Sequence, residues 1–91
     1  MLQTVSLIIS GKVQGVYYRQ SARLKAIETG ITGTVMNLPD GSVQAIITGT
    51  SGQIHRMTDW CHKGPSGAVV TGVVVKELPL QTFTDFTITR L

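Results

Sequence analysis

Gly11-Lys12-Val13-Gln14-Gly15-Val16-Tyr17-Tyr18-Arg19 puts two glycines and an arginine between a strand-like run and a helix-like one. Glycine lets a loop turn so that successive backbone N–H groups point at one spot. The first turn of the following helix adds unsatisfied donors and the positive end of its dipole. An arginine at that point adds a rigid planar fork of donors suited to phosphate. The segment therefore has the composition of an anion cradle, and the chemistry it suggests is the handling of a phosphate-bearing small molecule.

Spacing alone leaves the bland reading open, because a loop with two glycines ahead of a helix is also a common connector. Charge placement favours the cradle. The first 39 residues carry Lys12, Arg19, Arg23 and Lys25 against Glu28 alone, whereas acids and bases balance over the rest, so the formal excess of +3 sits around this loop and helix. A local positive field of this kind concentrates anionic ligands. It is weak beside the dense basic stripes of nucleic-acid binders, and Arg23 and Lys25 also fit a solvated helix face.

The elements that must position the cradle follow from periodicity. Residues 4–10 alternate, with Val5, Leu7 and Ile9 on one face and Ile8 breaking an otherwise polar second face, which predicts a half-buried strand. Residues 18–29 lack a breaker, space Tyr18, Ala22 and Ala26 four apart and end at Gly30, which predicts a helix with a left-handed cap. Residues 31–37 and 42–48 flank Leu38-Pro39-Asp40-Gly41 as a hairpin, with Asn37 at its mouth. Thr50 or Ser51 can cap a second helix that buries Ile54, Met57 and Cys61 and stops at Gly64-Pro65. The valine-rich residues 68–75 read as a well-buried strand and residues 83–90 as a last strand. The expected fold class is α+β, a split β-α-β sandwich in the order βαββαβ plus a C-terminal strand, with two helices packed on one face of a mainly antiparallel sheet.

Composition bounds the function. Ninety-one residues with 42% hydrophobic side chains predict one domain over 1–91, too short to hold a separate nucleotide-binding domain. The start of the chain lacks a charged segment followed by an apolar one, and no run approaches the length needed to cross a bilayer, so a cytoplasmic protein without membrane partners is expected. Monomer is the default state. Cys61 is the single cysteine and is assigned to packing. His55 and His62 have no completing ligands, so no metal site is assigned, and Asp59 and Glu77 read as isolated acids. Trp60 reads as core before binding platform.

Together with Gly33-Thr34-Val35-Met36-Asn37 and Asp40-Gly41-Ser42-Val43, the cradle segment closely resembles the two signature segments of the acylphosphatases, and the resemblance spans almost the whole chain. It implies a ferredoxin-like domain that hydrolyses the carboxyl–phosphate anhydride of acyl phosphates with no cofactor. It further implies that Gln14, Gly15, Val16, Tyr17, Tyr18 and Arg19 bind the phosphate, that Arg19 clamps it, and that Asn37 orients the attacking water. Inorganic phosphate or sulfate is then expected to compete. Thr34 and Met36 depart from the family pattern, where an aromatic and often a basic residue stand, and predict altered packing or substrate contacts.

The residues also speak on the rivals. RNA-binding domains of the same layout display aromatics on the sheet, and residues 4–10 and 42–48 contain none, so no nucleic-acid partner is expected. A metal- or ligand-sensing domain lacks a ligand cluster. A P-loop nucleotidase is excluded because no Gly-Lys-Ser/Thr follows the glycines.

Overall fold

The computed structural model describes residues 1–90. Seven elements follow in order: β1 (Gln3–Lys12), α1 (Tyr18–Thr29), β2 (Thr32–Asn37), β3 (Val43–Gly49), α2 (Ser51–Lys63), β4 (Val69–Leu78) and β5 (Phe86–Ile88). The strands form one sheet in the order β4-β1-β3-β2-β5. All neighbours are antiparallel except β2 and β5, which run parallel with Gly33, Thr34 and Val35 beside Phe86, Thr87 and Ile88. This is the ferredoxin-like α+β arrangement with the extra terminal strand.

One face of the sheet makes the core with the two helices. Val5, Leu7 and Ile9 of β1, Val43, Ala45 and Ile47 of β3 and Val35 of β2 are buried there. They meet Tyr18, Ala22 and Ala26 of α1 and Ile54, Met57 and Cys61 of α2, the residues that helical spacing selects. The Tyr18 and Trp60 rings lie tilted with centroids 5.4 Å apart and join the two helices, so Trp60 is a packing residue. Burial pushes the Cys61 thiol up to about 12, which leaves it protonated and inert.

Three expectations need correction. β4 is not a well-buried strand: it lies at the sheet edge, pairs with β1 alone, and leaves Val69, Val74 and Val75 exposed. A valine run signals strand preference, but burial is decided by what covers the strand, and few core residues reach this edge. β5 spans three residues, fewer than the run that suggested it. Asp59 is not isolated, since its carboxylate lies 3.3 Å from His55 Nε2 one helical turn away, an exposed pair of small energetic weight.

The register decides where the site falls. Ile9 and Asn37 are both opposite Val43, and Val35 is opposite Ile88. The C-terminal ends of β1, β2 and β5 and the start of β3 therefore share one end of the sheet. The loop into α1 is at that end, so topology brings the cradle and Asn37 together from positions about 20 residues apart in the chain.

Candidate active site

The loop between β1 and α1 has the backbone of an anion-binding nest. Gly15 has φ 73° and Tyr17 has φ 61°, with Val16 between them. Alternation of this kind turns successive N–H groups towards a common point. Tyr17 is the one non-glycine with positive φ among the described residues, at a cost of about 1–2 kcal/mol for an L residue. Tyr17 is 82% exposed, so little packing offsets that cost. Strained backbone of this kind clusters at ligand clamps and active sites.

Tyr17 is also the N-cap of α1, and no side chain caps this helix. The first bond of the helix runs from Ser21 N–H to Tyr17 O at 3.0 Å. The amides of Tyr18, Arg19 and Gln20 therefore precede the helical ladder and remain available to a ligand, at the positive end of the dipole. No acidic residue stands in the first turn to quench that field.

A cavity of about 340 Å³ opens against this turn. Gly15, Tyr17, Tyr18, Arg19 and Asn37 line it together. Asn37 closes β2, and its Oδ1 is buried with no hydrogen-bond partner. An orphaned carbonyl oxygen costs about 1–3 kcal/mol unless something donates to it, and Asn37 carries that cost at the cavity wall.

The other assigned residues contribute differently. The Tyr18 side chain turns into the core at 2% exposure, and its hydroxyl donates to Cys61 O at 2.7 Å. Burial, with Cys61 nearby, holds that phenol well above its ordinary pKa and so protonated, and its one hydrogen is taken by Cys61 O, which leaves the Tyr18 backbone amide for an anion. Gln14 and Val16 do not line the cavity. Gln14 Nε2 donates to Leu38 O at 2.8 Å and to Ser42 O at 2.9 Å, tying the cradle loop to the turn that follows Asn37. That turn is closed by Leu38 N–H to Ser42 O at 2.9 Å. Asp40 Oδ1 also accepts from the Ser42 hydroxyl and N–H, which lowers its pKa. Val16 is half-buried against the core. Thr34 and Met36 lie outside the cavity lining, each half-buried in β2.

Sequence reasoning missed Val13, Gln20, Ile88 and Arg90, which complete the lining. Arg90 matters most, because it is a second guanidinium at the site. The parallel pairing of Val35 with Ile88 is the signal that finds it: two residues further along, Asn37 and Arg90 reach the same end of the sheet.

A sequence model described as Acylphosphatase matches residues 5–88. The chain belongs to the acylphosphatase family. It is 54% identical over 85 residues to an acylphosphatase of Marinobacter nauticus, covering 92% of each chain, and 42% identical over 90 residues to that of Methylococcus capsulatus, covering 98% of each. Among solved structures, an acylphosphatase from Coxiella burnetii superposes with a TM-score of 0.93 at 36% identity, covering 97% of this chain and 93% of that one. The family match takes in both the cradle segment and the hairpin that carries Asn37. Among the described residues no helix is long and apolar enough to cross a membrane.

Proposed function

We infer that this chain hydrolyses the carboxyl–phosphate bond of acyl phosphates to a carboxylate and inorganic phosphate, with the phosphoryl group held in the nest before α1. The observation that carries the assignment of roles is the meeting, around one cavity, of uncapped helix amides, Arg19 and Asn37.

The chemistry needs few parts. Phosphoryl transfer proceeds in line with charge spread over the equatorial oxygens, so positioned donors can do most of the catalysis. The 15–19 amides and the Arg19 fork supply those donors. The Asn37 carboxamide hydrogen-bonds the attacking water and aims its oxygen at phosphorus. The new P–O bond forms as the bond to the acyl oxygen breaks, and the carboxylate leaves with the electron pair. An amide cannot take the water's proton at neutral pH, so that proton passes to a phosphate oxygen of the substrate. A carboxylate is a good leaving group and needs no strong general acid. Gln14 works through its side chain by holding the Asn37 turn against the cradle.

The test is phosphate release from benzoyl phosphate with a chelator present. Turnover that survives chelation is expected. Reversible loss of turnover on chelation, restored by metal, contradicts a mechanism built on amides and Arg19.

A further inference from the structure

Arg90 is a cation at the cavity for which the phosphoryl group has no evident need. A phosphoryl group fills the space of about two or three waters, roughly 60–90 Å³. The cavity is about 340 Å³, so most of it is left for the acyl portion. In the hydrolase reading the phosphate oxygens meet the nest amides and Arg19. Arg90 stands just past β5, two residues beyond Ile88 as Asn37 is two beyond Val35, and Thr89 N–H donates to Val35 O at 2.9 Å beside it. Tyr17 and Ile88 give the lining apolar surface, and no carboxylate side chain is among the described lining residues. The ion pairs of the described residues, Lys25 with Glu28 and His55 with Asp59, involve neither arginine. A second guanidinium in a lining without a carboxylate side chain selects for a carboxylate, which its planar fork can bind through two parallel hydrogen bonds.

Resting on the hydrolase reading above, we propose that Arg90 recognises a carboxylate on the acyl group, so that the favoured substrates are acyl phosphates with a second, anionic end. Arg90 is then a specificity residue, and Arg19 alone clamps the phosphate being transferred.

The experiment compares benzoyl phosphate with 3- and 4-carboxybenzoyl phosphate on the wild-type chain, Arg90→Gln and Arg90→Lys. The quantity read is kcat/KM for each carboxylated substrate divided by that for benzoyl phosphate, which cancels the intrinsic reactivity of each substrate between variants. In Arg90→Gln the better of the two ratios falls about fivefold, mainly through KM, the size expected of a charge-assisted contact at an exposed position. Arg90→Lys restores part of it, and added salt lowers the wild-type ratio. An unchanged ratio overturns the proposal. Equal losses on all three substrates also overturn it, because they put Arg90 on the phosphate. Failure of the wild-type chain to release phosphate from any of the three contradicts the hydrolase reading itself, an outcome distinct from both.

Discussion

The two helices of this molecule begin in opposite ways. α2 starts with a complete capping box, in which Thr50 accepts from Gln53 N–H at 3.2 Å and the Gln53 side chain accepts from Thr50 N–H at 2.9 Å. At the same end of the sheet the buried Thr4 and Thr48 hydroxyls lie 2.6 Å apart, and both bond to the backbone of Gln81. α1 starts at the other end with a strained tyrosine, no capping side chain, and Asn37 Oδ1 unpartnered nearby. A fold that satisfies its polar groups at one end has the means to satisfy them at the other. On the proposed reading the open groups around α1 are kept for a ligand, and the difference separates residues that serve stability from residues that serve chemistry.

Arg19→Lys breaks the open end most severely. It keeps the charge and loses the fork, and kcat/KM is expected to fall by about 3 kcal/mol, roughly a hundredfold or more, with little change in melting temperature. Near-normal turnover in the folded variant would put the clamp elsewhere. Asn37→Ala comes next. Its loss should lower kcat by about tenfold to a hundredfold and leave KM and the inhibition constant for phosphate nearly unchanged, the pattern of an interaction made mainly in the transition state. If Asn37 only ends β2 and supports the turn, the variant loses stability and keeps its kcat per folded molecule.

The smallest effects sharpen the contrast between the helix starts. Thr50→Ala should cost about 1 kcal/mol of stability and leave turnover intact, since the capping box serves only the fold. Tyr17→Gly should do the reverse. Release of the left-handed strain outweighs the added freedom of the unfolded chain and stabilises by about 0.5–1 kcal/mol. Paired melting curves decide: if both substitutions destabilise, the strain at Tyr17 is repaid by contacts of its ring.

Legibility in the sequence followed the physics of each element. α1 was readable from Tyr18, Ala22 and Ala26, and its end from Gly30, because helix periodicity and left-handed caps are local properties. The cradle was readable for the same reason, since two glycines and an arginine sit within nine residues. Exposure of β4 was not, because an edge position depends on strand order. The Gln14 bonds to Leu38 O and Ser42 O join residues 24 and 28 positions apart, and no pattern within the loop announces them. Arg90 was missed on similar grounds: its place beside Asn37 rests on the parallel register of β2 and β5, which only the assembled sheet defines.

The open amides before α1, with Arg19, are proposed to hold the phosphate. Amide NMR during titration with inorganic phosphate tests this directly. The largest shifts are expected at residues 15–20, with the amides of Thr50 to Gln53 at the capped start of α2 unmoved, and Arg19→Lys should weaken the response at the cradle. Saturable shifts centred elsewhere, or a cradle that does not respond to phosphate while chloride controls behave alike, would contradict the account.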